Sequence, residues 1–248
     1  MSTADRRELD GKVALLSGCG TILCGSIARR LASAGAHVVM NQARPSDELD
    51  SAARETSAVL AMGDASDPTV AARVVSEAEE RIGPIDVLVF GASYLIKSPF
   101  IQHDPSDWWR HIEINLSAGF YLLHNVLPSM RERHSGRIIF LTSAAGIVGW
   151  PNASAATAAS SGLITLTKTL GRELAPEGVL VNAVSTGPLD APPYNLNGSE
   201  NHASGPPIGR SGRSDEVAAV VDFLASVRAS GFVGQVLQPN GGAIRTLA

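Results

Sequence analysis

The chain has 248 residues, a formal net charge of −4, 44% apolar residues and only 5% aromatics. That length suffices for one large α/β domain with a substantial core, and the charge excludes nucleic acid or an anionic membrane surface as partner. No apolar run approaches the roughly 20 residues of a membrane span, and the polar start, residues 1–12, has no apolar signal core; the expectation is a cytoplasmic protein.

Lys12–Ser17 is a short apolar run without alternation, as expected of a central parallel strand buried on both faces. A Gly-rich turn follows (residues 18–25), then a helix to Gly35 and a second strand, Ala36–Met40. Strand, Gly-rich turn, helix and strand open a dinucleotide-binding unit. The only two cysteines, Cys19 and Cys24, sit in that turn. With no other Cys or His nearby they read as small packing residues, and no metal site is expected.

Residues 45–57 predict a polar helix and Ala58–Met62 a third strand. Asp67 suits an N-cap for the amphipathic helix Val70–Ile82 better than Asp64 does. Gly83-Pro84 ends that helix, and Ile85–Phe90 is a fourth buried strand. Tyr94 and Lys97 follow at its carboxyl end, where open α/β sheets bind ligands; Lys97 reads as a solvated loop residue. A helix starts at Pro105, a longer one runs from Gly119 to Arg133, and His134-Ser135-Gly136 stops it. Arg137–Leu141 is a strand leading through Thr142-Ser143 into a helix from about Ala153 to Leu174, rich in Ala, Ser and Thr. Val179–Val184 is the next strand. Pro188–Pro207, rich in Pro, Gly, Asn and Ser, is placed as a substrate lid carrying Tyr194 and His202. A helix capped by Ser214 and a strand from Phe232 to Leu237 close the chain.

Three stretches are specific together: VLVNAVSTGP (Val179–Pro188), GRSDEVAAVVDFLAS (Gly212–Ser226) and FVGQVLQPNGG (Phe232–Gly242). With the element order, they resemble the short-chain dehydrogenase/reductase family over residues 10–245. The resemblance implies a single-domain, Rossmann-like doubly wound parallel sheet of about seven strands with helices on both faces. It also implies oligomers built through the small-residue helix, homomeric or with related subunits. In that family a Ser polarises a carbonyl, a Tyr thirteen residues later gives the proton, and a Lys four further on tunes the Tyr. Here those positions hold Ser143, Ala156 and Ser160.

The same resemblance locates the cofactor residues. The Thr-Gly-x-x-x-Gly-x-Gly loop becomes Ser17, Gly18, Ile22 and Cys24, so only the first glycine is kept; Gly20 lies nearby. The acidic residue for the ribose is missing at Gln42, although Arg44 is placed to face a phosphate. Asp64 matches the Asp that contacts adenine, and Gly187 the Gly of a Pro-Gly pair. Phe90-Gly-Ala-Ser93 replaces Asn-Asn-Ala-Gly, and Ala191 replaces the Thr that bonds the nicotinamide carboxamide. Asn115 matches the Asn that holds a water and kinks its helix. NAD(P) is therefore weakened as a cofactor by Ile22, Cys24, Phe90 and Ser160, and the sequence leaves the cofactor open.

Three functions follow for a small-molecule substrate. The leading expectation is a non-redox enzyme on a carbonyl or hydroxyl substrate, with Ser143, Asn115, Tyr94, Tyr194 and His202 as candidates for its chemistry. The second is an inactive subunit of an active relative. The third is an NAD(P)-dependent oxidoreductase with a substitute proton donor such as Tyr94.

Overall fold

The computed structural model describes residues 7–190 and 206–244. Seven parallel strands form one sheet in the order β3-β2-β1-β4-β5-β6-β7. They are β1 (Val13–Ser17), β2 (His37–Asn41), β3 (Val59–Leu60), β4 (Val87–Phe90), β5 (Gly136–Ser143), β6 (Val179–Thr186) and β7 (Val236–Leu237). The helices are α1 (Thr21–Ser33), α2 (Asp47–Thr56), α3 (Pro68–Arg81), α4 (Pro105–Ile112), α5 (Ala118–Glu132), α6 (Ala145–Val148), α7 (Ser154–Leu174) and α8 (Ser214–Ala225).

The expected doubly wound sheet is thus present. Strands β1 and β4 are buried at every residue, as continuous apolar runs require when helices cover both faces. One core packs α1, α2 and α8 on one face through Leu23, Ile27, Leu31, Leu49 and Val221. The other packs α3, α5 and α7 through Val74, Leu122, Val126 and Leu163. The order reverses beside β1, with β2 on one side and β4 on the other. That switch opens a crevice at the carboxyl ends of the strands.

Local signals behave as their chemistry dictates. The Asp67 side chain accepts the backbone N–H groups of Thr69 and Val70, with Pro68 as the first helical residue. Helix α8 begins at Ser214, so its cap is Arg213 rather than Ser214, and the Glu216 side chain accepts the Arg213 N–H at 2.8 Å. The third strand is shorter than expected, two residues at the sheet edge.

Phe90, at the end of β4, lines the smaller pocket, and its side chain is also packed into the core, buried and edge-on to Phe140, centroids 6.4 Å apart. It fits because Gly119 of α5 has no side chain: a Cβ there would stand 2.7 Å from the ring. Gly119→Ala is expected to destabilise the fold by about 1–3 kcal/mol through overpacking. In Phe90→Leu/Gly119→Ala most of that loss should be recovered, and a urea-denaturation double-mutant cycle measures the coupling.

Asp86 ties the sheet's other end together. It accepts the Val13 N–H, Lys12 Nζ and an Arg133 nitrogen at 3.0, 3.2 and 2.8 Å. Burial pushes its carboxyl up, but these donors outweigh burial and hold it below the usual carboxylate value. The folded-state value is depressed, so its contribution is complete above the unfolded value and is lost as pH falls through the folded one. Asp86→Asn is expected to flatten the acid limb of a stability–pH profile, measured by denaturant midpoints.

Candidate active site

Register places the site. Phe90, the last residue of β4, pairs with Phe140, and Ser143, the last of β5, pairs with Thr186, the last of β6. Strands β5 and β6 therefore run three residues past the end of β4, about 10 Å at 3.3 Å per residue. The step leaves a cavity of about 440 Å³ above Gly91–Leu95, walled by the ends of β5 and β6 and by α7. Its apolar lining includes Leu23, Leu95, Leu141, Val148, Trp150 and Ile244, and none of the described lining residues is charged.

Ser143, Ala156 and Ser160 all line this cavity, so the sequence spacing is reproduced in space. Ser143 Oγ accepts the Ala145 N–H at 3.1 Å, which leaves the hydroxyl proton for another acceptor. Gly187 lies in the same wall.

Asn115 and Tyr94 are joined more closely than the sequence suggests. Residues Glu113–Ser117 form a π-helical turn between α4 and α5, and Asn115 is buried in it. Its Oδ1 accepts the Tyr94 N–H at 2.7 Å and its Nδ2 donates to the Tyr94 carbonyl at 2.8 Å. Both ends of the amide are thus committed to backbone. Asn115 also lines the cavity, and its amide holds the Tyr94 backbone in place.

The Tyr94 side chain lies against His111, ring centroids 4.7 Å apart, with its hydroxyl 3.5 Å from Asp107 Oδ1. His111 is fully buried. Its Nε2 accepts the Ile96 N–H at 3.1 Å, so the ring proton belongs on Nδ1, 2.6 Å from the Asp107 carbonyl. Sequence reading missed His111; only a His one turn after Asp107 pointed to it.

A second, smaller pocket of about 180 Å³ lies over the first half of the sheet. Gly18, Gln42, Asp64, Phe90, Ile114 and Ala118 are in its lining. Asn41 closes its floor, accepting the Ser17 hydroxyl at 2.7 Å and donating to Ala61 and Gly63 carbonyls. Asp64 is shared between Ser66 and Arg110. Burial pushes its carboxyl up, but Ser66 and the Arg110 guanidinium outweigh that and hold it low. The Gln42 Nε2 is buried without a partner among the described residues. Arg44 is exposed and does not line the pocket.

Gly20 precedes α1 with φ 69°, and no side chain caps the helix. Its first-turn N–H groups remain available to an anion. Ile22 is 43% exposed, outside the core, while Cys19 and Cys24 are fully buried. A hydrogen bond with Cys24, then burial, hold the Cys19 thiol well above its ordinary value, so it is a protonated packing group. Tyr194 and His202 lie outside the described residues, as does most of the expected lid.

The family model described as "Enoyl-(Acyl carrier protein) reductase" matches residues 23–243. The chain belongs to the short-chain dehydrogenase/reductase family. It is 31% identical to the 3-oxoacyl-(acyl-carrier-protein) reductase FabG of Thermotoga maritima, covering 96% of this chain and 99% of the relative. It is 34% identical to the cis-4-hydroxycyclohexanecarboxylate dehydrogenase of Sinomonas cyclohexanicum (93% and 96% covered). With the acetoacetyl-CoA reductase of Shinella zoogloeoides identity is 32% (93% and 98%). The solved structure of levodione reductase superposes with a TM-score of 0.87 at 29% identity, covering 94% and 98%.

These relatives overturn the leading expectation. A non-redox enzyme was expected from the joint departure of the glycine loop, the Asn-Asn floor, the Tyr–Lys pair (Ala156 and Ser160) and the carboxamide Thr (Ala191), yet near-full-length relatives are named reductases and dehydrogenases. Nor do they support an inactive subunit. No helix among the described residues is long and apolar enough to cross a membrane.

Asn115→Ala should remove both bonds to the Tyr94 backbone and destabilise by about 1–3 kcal/mol. Faster hydrogen exchange at the Tyr94 amide is expected in the variant and checks that the loss is local.

Proposed function

We propose that the chain is a nicotinamide-dependent oxidoreductase that reduces the carbonyl of a largely apolar substrate held in the larger cavity. The observation that carries the reading is the junction of the two pockets. Ala92 and Ser93 line both, so a nucleotide over β1 and β2 continues into the chamber that holds Ser143.

The residues present fit the adenosine and pyrophosphate parts of such a cofactor. Asp64 and the unpartnered Gln42 amide offer an acceptor and a donor in the smaller pocket. The uncapped start of α1 offers backbone donors to the pyrophosphate. Gly187 and Pro188 flank the inner end. When bound, a reduced nicotinamide supplies hydride to the carbonyl carbon.

The chain's own groups handle the oxygen. The Ser143 hydroxyl donates to it as negative charge develops, inside a wall that carries no charge of its own. Tyr94 is the one phenol lining the cavity among the described residues, and it supplies the proton that the family takes from Tyr at the position of Ala156. Asn115 fixes its backbone, and Asp107 lies within reach of its hydroxyl. A carbonyl, a hydride and a proton thus give an alcohol.

Titration with NADPH and NADH, read by fluorescence, tests the cofactor; 3-oxoacyl thioesters and cyclic ketones test the substrate. A cofactor at a hundred times its dissociation constant should stabilise the fold by about 2.7 kcal/mol, and no stabilisation by either nucleotide sinks the reading. Ser143→Ala is expected to lower kcat by about 100-fold, and Tyr94→Phe by about 100-fold. Ala156→Tyr/Ser160→Lys should raise kcat by about 100-fold or more by restoring a tuned acid.

A further inference from the structure

The described wall of the larger cavity carries no charge, but a cation stands against one of its lining residues. Trp150 lines the cavity, and Lys97 Nζ lies 4.4 Å from the centre of its ring. Lys97 is two residues beyond Leu95, which also lines the cavity. The Ser98 N–H donates to the Asn152 carbonyl at 2.8 Å, tying the loop after β4 to the loop before α7 on that side. Lys97 is exposed and has no carboxylate within ion-pair distance among the described residues. The expectation of a merely solvated Lys97 is therefore incomplete: the exposed ammonium also stands over the ring of Trp150, a residue of the cavity lining.

Inside, an ionised group would lose its water and find no counter-charge, so the reacting end of the substrate is uncharged. Outside, Lys97 stands against the lining residue Trp150. An ammonium over an indole face keeps donors for an anion approaching from solvent, because the ring occupies only one side of it.

We infer that Lys97, braced on Trp150, is a specificity-determining residue that selects substrates with an uncharged apolar carbonyl portion and an anionic group on the part left at the mouth. The inference rests on the carbonyl-reductase reading for the chemistry, but binding alone can judge it. The anion is a phosphate on a thioester tail or a carboxylate on the substrate itself; the shared chemistry is an oxyanion meeting an ammonium.

The test uses two matched pairs on the full-length protein. Acetoacetyl-coenzyme A is compared with the neutral N-acetylcysteamine thioester of the same acyl group, and 5-oxohexanoate with its methyl ester. Calorimetry gives dissociation constants with the reduced cofactor present and absent, and steady-state assays give KM. In Lys97→Met the preference for the anionic member should fall about fivefold, the reach of one exposed ion pair. Lys97→Arg should restore it, and added salt should erode it in the parent protein. A fall in one pair alone identifies phosphate or carboxylate as the anion. An unchanged preference in both pairs overturns the inference. So does an equal loss for charged and neutral members, which would make Lys97 only a brace for Trp150. Binding that follows this pattern without turnover would leave the inference standing and remove the reductase reading.

Discussion

Everything at the site depends on the unequal lengths of neighbouring strands. Strands β5 and β6 pair over eight successive positions, from Gly136 with Val179 to Ser143 with Thr186. Strand β4 pairs with β5 only as far as Phe90 with Phe140. The ladder carries Ser143 and Thr186 beyond the sheet proper and leaves the chain after β4 beneath them. An equally long β4 would fill the chamber with backbone. Gly91 makes the turn beneath this step possible, since a Cβ there would stand 2.8 Å from the Leu141 side chain.

The opposite wall is held by a helix defect. A π turn leaves a backbone irregularity, and here Asn115 uses it to reach the Tyr94 amide and carbonyl at once. Strand ladder and π turn together fix Tyr94 and Ser143 on surfaces of one cavity, although they belong to separate stretches of sequence. His111 supports the same loop from below through the Ile96 N–H and the Tyr94 ring. The loop after β4 is therefore braced at Tyr94, Ile96 and Ser98 by three different elements, which suits a surface that must keep its shape without regular structure.

The fold was legible because its signals are local and repeated. Continuous apolar runs mark buried parallel strands, and Gly83-Pro84 marks the end of the helix before β4. The site was legible as positions more than as interactions. The thirteen-residue spacing correctly brought Ser143 and Ala156 to one cavity, since both elements are rigid. It could not show that Asn115 spends both polar ends on Tyr94, because that pairing spans 21 residues and a π turn. Nor could it show the space that receives Phe90, which comes from a missing Cβ on α5. The functional misjudgement had another origin: the joint departure of the glycine loop, the Asn-Asn floor, the Tyr–Lys pair and the carboxamide Thr was read as the loss of redox chemistry, whereas near-full-length relatives are named for it.

The absence of charge among the described residues of the cavity wall bears on how such chemistry would proceed. A Tyr tuned by a Lys gives general-acid help of about 100- to 10,000-fold, and one well-placed oxyanion donor gives about 100- to 1,000-fold. Ser143 can supply the second contribution, and its value rises in an apolar chamber where no other charge competes. On the proposed reading the first comes from Tyr94, whose hydroxyl lies 3.5 Å from Asp107 Oδ1. A site of this kind favours carbonyls that are already electron-poor, whose reduction leans less on the proton donor. On the proposed reading, that requirement, the uncharged described wall and Lys97 over Trp150 would all select on the substrate rather than on the cofactor, at the step between β4 and β5.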